Sequence, residues 1–415
     1  LSFLKALQYG IGKARVVVGS ARGLDFKVIF ALFLVHFSGD FYGAFIKPLL
    51  PAFSQKFDLS LTQVGLVSGA AWFLAFVVQP MVGYLSDRRR TRMFVLLGPL
   101  FSVVFIPLAG LAPSYTVLVV LIALGSIGSA LYHPSAAGMV STYAGRSRGF
   151  AMAIFHLGGT LGFGLGPLLA TWFVAQFTLT GLPYTMVLGL VFMVFLIVLI
   201  PRPDGEGLGN VGFFKALKEA MGEVWRSIFL IWFLVVLRSF VSQSFTTFIP
   251  MAVSAEGHSL ISIGFIISLY TVAGAISGLV AGYISDHKGF KPVFVVSYAL
   301  ATPCLLLFLY LPGPWIFVGS FGAGFMHLAT LPLAVAMAQE LAPKGRTIVS
   351  SMMMGFAFGF GGMLTPITGS FAEIFGIRET LTILAFLPLA ATCLIHRLPE
   401  PPQGKRELIP PMGPR

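Results

Sequence analysis

The chain predicts an all-α membrane protein of twelve spanning helices, built as two pseudo-symmetric halves of six, and three observations predict it. The first is composition: of 415 residues, 57% are hydrophobic, 10% are charged and 41 are Phe, with a mean hydropathy of +0.90. Such a chain cannot cover itself with a wetted surface, so its solvent is lipid. The second is a series of apolar runs, each long enough to cross about 30 Å of hydrocarbon. The third is a repeat: Gly83-Tyr-Leu-Ser-Asp87-Arg-Arg-Arg-Thr-Arg92 returns 199 positions later as Gly282-Tyr-Ile-Ser-Asp286-His-Lys-Gly-Phe-Lys291. The same offset joins Pro51 to Pro250 and Pro167 to Pro366. Duplication on this scale inside a membrane marks a secondary transporter.

The runs fall at roughly 28–54, 61–86, 93–111, 115–142, 149–175 and 183–200, then at 227–253, 261–285, 292–311, 315–341, 347–375 and 380–396. Residues 1–201 form the first half and 227–398 the second. Between them, 202–226 reads as a linker whose amphipathic Phe213–Met221 stretch lies along the inner leaflet. The tail, 399–415, is rich in Pro and Arg and is expected to be disordered. Leu1 is not an initiator, so further residues are expected upstream, and no cleavable signal is evident. Cys304 and Cys393 sit alone in apolar runs and read as small hydrophobes, with no disulfide or metal pair.

The net charge of +12 could suggest nucleic acid, but the placement of the basic residues argues otherwise. With the N-terminus in the cytoplasm, the Lys and Arg outside the helices divide 23 inside to 2 outside, the two being Lys56 and Arg378. This is the positive-inside bias of a multi-pass protein, expected in the inner (cytoplasmic) membrane with both termini cytoplasmic and no nucleic-acid partner.

An ionisable group at membrane depth costs at least about 2.5–3.5 kcal/mol, so each one needs a reason. Of fifteen acids, only Asp40 lies near the middle of a run. His36, Asp40, Gly43 and Lys47 follow the i, i+4, i+7, i+11 spacing, which puts them on one stripe of the first helix. That stripe cannot face lipid, and the expected place for it is the cavity between the halves. Asp40 is the candidate proton carrier, with His36 and His133 to tune or relay; a structural ion pair of Asp40 with His36, Lys47 or Arg238 is the alternative. Arg238 lies near the middle of the seventh run, followed by Gln243, and Arg stays charged in any protein environment. Lys47 and Arg238 therefore read as clamps for an anionic cargo. His156 and His327 are candidate cavity residues or packing residues. No tight ligand spacing marks a metal site, and no cofactor is implied.

Asp87 and Asp286 end the second and eighth helices at the cytoplasmic face, with Arg88, Arg92 and Arg148 nearby. An acid there accepts from a neighbouring helix N-terminus and from Arg, latching the halves. Gly158, Gly162 and Gly166 before Pro167 form a small-residue ridge suited to close helix packing.

These residues resemble a known group. Gly83, Asp87, Arg88 and Arg92 match the cytoplasmic signature of the major facilitator superfamily, with Arg90 and Thr91 departing from it, and the ridge through Pro167 is similar to its antiporter motif. A narrower resemblance, to the fosmidomycin-resistance branch, rests on His36-x3-Asp40, Gln79-Pro-x2-Gly83-Tyr, Tyr132-His133-Pro134, Gly145-Arg-x-Arg-Gly149, Leu157-Gly158-Gly159, Ala338-Gln339-Glu340-Leu341 and the glycines from Gly355 to Gly362. His156 stands where that branch is expected to carry Gln. The resemblance implies the facilitator fold and a proton-driven exporter of a phosphonate or related compound.

The expectation is therefore a monomeric, non-enzymatic antiporter that exchanges protons for a small, anionic or phosphonate-like organic compound. A proton-coupled importer of organic anions and a divalent metal exporter built on His36, Asp40 and His133 are the rivals. Asp87→Asn should weaken the latch and raise the inward-facing population, by about 1–3 kcal/mol. Asp286→Asn should act less, since fewer basic residues follow it. Spin-label distances across the cytoplasmic ends of the fifth and eighth helices report both; unchanged distributions in the two variants would remove the latch.

Overall fold

Each of the twelve apolar runs holds helix in a computed structural model of the protein, which describes residues 23–79, 82, 91–145, 147–202, 222–342, 349–350 and 352–398. Lipid offers the backbone no hydrogen-bond partner, so the chain satisfies its own amides within helices. The first half comprises α1 (Phe26–Gly43), a 3-10 turn (Lys47–Leu49), α2 (Leu50–Phe57), α3 (Leu61–Val77), α4 (Thr91–Leu108), α5 (Tyr115–Tyr143), α6 (Arg148–Gly181) and α7 (Thr185–Leu199). The second comprises α8 (Trp225–Ala255), α9 (Leu260–Lys288), α10 (Phe290–Tyr310), α11 (Trp315–Leu328), α12 (Thr330–Leu341), a π turn (Met352–Phe356), α13 (Ala357–Met363), α14 (Thr365–Phe375), α15 (Ile377–Ala385) and α16 (Leu387–Ile395). Among the described residues, nine helical stretches are long and apolar enough to cross a membrane. One of them, Phe150–Leu199, contains a break at Thr178 (φ 60°) and holds both α6 and α7.

Four of the runs expected to be continuous are interrupted. The first breaks between Gly43 and Leu50, at Pro48 and Pro51; the eleventh breaks at Leu364, before Pro366; the twelfth breaks at Phe386, before Pro388. Proline has no amide to donate and its ring crowds the carbonyl one turn back, so each new helix starts with proline in its first turn, where no donor is needed. The tenth run also breaks, at Ala329, shortly before Pro332.

The duplication is visible in three dimensions. α3 and α9 both begin on serine caps, Ser60 and Ser259, which accept from the amides of Gln63 (3.3 Å) and Ser262 (3.2 Å) and stand 199 positions apart. Gln63 closes a capping box by accepting from the Ser60 amide at 3.0 Å. From these caps, α3 packs on α14 of the other half and α9 packs on α6. A Cβ on Gly65 would lie 2.6 Å from the Thr365 carbonyl oxygen and 2.8 Å from Pro366 Cα, and one on Gly264 would lie 2.9 Å from the Pro167 carbonyl oxygen. Gly65 and Gly264, like Pro366 and Pro167, are repeat mates, so one seam is made twice.

Polar contacts lock both seams. Thr62 donates its amide to Glu373 at 2.8 Å, Thr365 donates to the Gly65 carbonyl at 2.9 Å, and Ser268 donates to the Gly164 carbonyl at 2.6 Å. Ser68 and Thr247 share a hydroxyl bond at 2.8 Å. The larger buried cluster accordingly joins Val35, Phe45 and Phe53 of the first half to Phe245, Phe248 and Tyr270 of the second. A second cluster, with Ile228, Leu234, Phe294 and Met337, belongs to the second half alone. The halves are thus fused at the ends bearing the serine caps, the face predicted to be external.

Gly65→Leu should force that seam apart, because overpacking a close contact costs about 1–3 kcal/mol and here the opposing atoms are backbone. Distances between labels at the Ser60 end of α3 and the Phe375 end of α14 should lengthen; a wild-type distribution would show that this seam does not hold the face closed.

Candidate functional site

Glycine on α6 decides where the ionisable residues of α1 end up. A Cβ at Gly158, Gly162 or Gly166 would run into the carbonyl oxygens of Phe33, Phe37 and Phe41 respectively, so the two helices meet backbone to backbone. One position along, Gly159 leaves the space into which His36 and Asp40 fit; a Cβ there would lie 2.6 Å from Asp40 Oδ2. Pro167 ends this ridge, and its carbonyl accepts from Thr171 at 2.8 Å.

His36 and Asp40 are both buried, with Nε2 of His36 3.1 Å from Oδ2 of Asp40. Tyr132 of α5 donates its hydroxyl to Oδ1 of the same carboxylate. His133 brings its Nε2 to 3.7 Å from Oδ1 and to 3.1 Å from His36 Nε2. His156 lies beside the cluster, its ring centroid 5.9 Å from that of His36, and its side chain is exposed.

The hydrogen bonds assign a proton. His36 Nδ1 lies 2.8 Å from the carbonyl oxygen of Phe155, which can only accept, so Nδ1 carries hydrogen. A bare Nε2 and an ionised carboxylate are both acceptors. A proton on either atom would relieve that 3.1 Å contact, and His36 Nε2 lies equally close to His133 Nε2, at 3.1 Å. His133 Nδ1 is anchored by Ser129, 2.9 Å from its carbonyl oxygen and 3.0 Å from its hydroxyl.

The expected polar stripe is corrected in two respects. Asp40 does not face the space between the halves: it is enclosed within the first half by α1, α5 and α6, and its partners are His36, His133 and Tyr132, not Lys47 or Arg238. Lys47 also leaves the stripe, because α1 ends at Gly43 and the 3-10 turn carries Lys47 across to the second half. There its ammonium donates to Gln243 Oε1 and Thr246 Oγ1 of α8 and lies 5.1 Å above the Trp72 ring.

Arg238 and His327 bind each other. Arg238 donates Nε to the His327 carbonyl oxygen at 3.2 Å, and His327 Nε2 donates to the Arg238 carbonyl oxygen at 3.0 Å. His327 is buried in that exchange. The guanidinium stands 5.7 Å over Phe358, and its Nη1 is buried with no acceptor among the described residues. Among the described residues, no carboxylate forms an ion pair with Lys47 or Arg238.

The cytoplasmic gate residues fare differently. Asp87, Arg88 and the side chain of Arg148 lie outside the described residues, and Asp286 lies in the last turn of α9. Arg92 holds the end of α7, donating Nε to the Ile200 carbonyl at 2.8 Å and Nη2 to that of Ile197 at 2.7 Å. That is a cap within one half. Although no ligand spacing shows in the sequence, His36, Asp40 and His133 bring ligating atoms within 4.8 Å of one another. Sequence reasoning assigned no role to Tyr132, Trp72 or Phe358. Tyr132 adjoins His133 in the quoted motif, and Thr246, which meets Lys47, is its mate at the repeat offset of 199.

A duplicated bundle of apolar helices, with an enclosed acid–histidine cluster in the first half, a lysine that reaches across to the second half and an arginine buried within that second half, defines a membrane transporter. The model of the Major Facilitator Superfamily matches residues 29–366 and 231–411, and the chain belongs to that family. It is 26% identical over 380 residues to the fosmidomycin resistance protein of Escherichia coli K12, covering 91% of this chain and 93% of that one. It is 22% identical over 338 residues to multidrug resistance protein 1 of Bacillus subtilis, covering 80% and 84%. The fold is also that of a bacterial homologue of the human lysosomal transporter Spinster, solved inward-facing and occupied, with a TM-score of 0.78 at 16% identity over 91% of this chain and 97% of that one.

Gly159→Ala should part His36 from Asp40 while the helix persists, since Ala is the better helix former. The expected cost is about 1–3 kcal/mol of thermal stability. Histidine nitrogen NMR should show the His36 pattern changed; an unaltered His36 signal would mean that Gly159 is not what seats the pair.

Proposed function

We propose that this transporter is a proton-coupled antiporter that exports a small organic anion across the inner membrane. The observation that carries the reading is the buried contact of His36 with Asp40, 3.1 Å from Nε2 to Oδ2 and enclosed within one half, where a proton can be shared. Acid and histidine together make a neutral couple when loaded. After the proton leaves, a carboxylate and a ring lone pair face each other at 3.1 Å and repel. Relief requires α1 to shift, and one turn later α1 leads through its break into Lys47, whose ammonium bridges to Gln243 and Thr246. Proton loss in the first half is thereby felt at a contact between the halves. His133 and the exposed His156 supply a route from the couple toward solvent.

Lys47 and Arg238 give the interdomain cleft positive potential, which supports an anionic cargo. The halves, 1–201 and 227–398, rock about this level as a monomer, with the linker 202–226, the tail 399–415 and both termini on the cytoplasmic side. The relatives named for drug resistance support export. Protons entering from the outer side would load His36–Asp40 and leave on the inner side, so an outside-acidic gradient drives cargo outward. A second reading, a divalent metal carried at His36, Asp40 and His133, is favoured only by the closeness of their ligating atoms.

Asp40→Asn in vesicles of known orientation should abolish accumulation driven by a pH gradient and leave exchange down the cargo's own gradient intact, since the amide keeps the shape and cannot titrate. Pumping at the wild-type rate would dismiss Asp40 as the coupling site. Stoichiometric zinc binding to purified protein, lost on replacing His36 or His133, would favour the metal reading instead. Lys47→Ala and Arg238→Ala should each weaken an anionic cargo more than a neutral one, because a buried anion without its cation is costly.

A further inference from the structure

The cations of the cleft do not stand alone. Trp72 and Phe76 on α3 stack at 4.8 Å with 8° between their planes. Phe358 on α13 of the other half lies 5.9 Å from Trp72 and 5.5 Å from Phe76, tilted by only 22° and 24°. Phe163 on α6 faces Trp72 at 6.4 Å and 17°. Rings from three helices and both halves thus align nearly parallel, whereas aromatic packing with no further demand also uses edge-to-face geometry. All four are half-buried although they sit between the halves.

Each end of this plate carries a positive charge, with Lys47 over Trp72 and Arg238 over Phe358. Lys47 has neutral acceptors. Arg238 has a buried Nη1 donor with none among the described residues, and such a group costs free energy until an acceptor arrives. A cargo that satisfied both features would bring an acidic group to Arg238 and a flat ring to the stack.

We propose that the cargo class is the aromatic organic anion: a planar conjugated ring that stacks on Trp72, Phe76 and Phe358, bearing a carboxylate or phosphonate that accepts from Arg238. The inference rests on the reading of the cleft as the binding site of an exported anion, and it adds the body of the cargo to its charge. Because Trp72 and Phe76 belong to one half and Phe358 to the other, a stacked ring touches both and the stack is complete only while the halves are together at this level. Both halves therefore contribute to selecting the ring.

Two probes with one headgroup separate ring from charge. Purified protein in nanodiscs is titrated with phenylphosphonate, methylphosphonate and the neutral ring benzamide. Wild type should bind phenylphosphonate about 2- to 10-fold more tightly than methylphosphonate, the range of one aromatic pair beyond simple burial. Trp72→Leu and Phe358→Leu should each erase most of that preference, Phe358→Tyr should keep it, and Arg238→Gln should weaken both phosphonates while leaving their ratio. Thermal melting shows that each variant is folded. Equal affinity for the two phosphonates in wild type, or a preference that survives both leucine variants, would overturn the proposal and make the rings a plug of the seam. Binding of benzamide without either phosphonate would instead overturn the anion reading beneath it.

Discussion

Backbone-close packing of α1 on α6 is the contact on which the rest of the protein leans. Phe33, Phe37 and Phe41 present carbonyls at four-residue intervals, and Gly158, Gly162 and Gly166 receive them at the same interval. In lipid there is no hydrophobic force between helices, so association depends on van der Waals contact at the shortest possible range. That range is what encloses His36 and Asp40: a methyl group anywhere on the ridge would hold α1 away from α6, and Phe155 would no longer reach His36. The ridge is therefore a means of placing a polar pair as well as a way of packing helices.

Charge in this bundle is segregated. Asp40 is compensated locally by His36 and Tyr132, inside one half, and takes nothing from Lys47 or Arg238. The cations are held by neutral partners: an amide oxygen and a hydroxyl for Lys47, a backbone carbonyl for Arg238. Had Asp40 paired with either, the interior would be cheaper to bury and the cleft would have no surplus charge with which to attract a ligand. The break in α1 between Gly43 and Lys47 is the short segment that keeps the two systems apart and connects them.

Much of this was legible in the residues, and the failures share a physical cause. Composition and the 199-residue repeat suffice for the helical bundle and its halves, because lipid permits few other solutions. The i, i+4 spacing of His36 and Asp40 puts them on one face, since that spacing is local. What covers that face is not local: the Phe155 carbonyl and the Tyr132 hydroxyl arrive from α6 and α5, in a register that no spacing within α1 records. A stripe that runs on to Lys47 requires an unbroken helix, and the chain breaks between Gly43 and Leu50, where Pro48 and Pro51 stand. Arg92, which follows a charged turn, reads as part of a latch, yet its nearest need is the unsatisfied carbonyls at the end of α7.

The bond between Lys47 and Thr246 joins residues at the same place in the two repeats. Repeat mates that touch lie on the pseudo-twofold axis, where any position in an assembly of identical copies meets itself. Two lysines there would repel across the axis, and two threonines would carry no charge. A single cation facing a neutral hydroxyl at this place therefore depends on the two repeats differing at it.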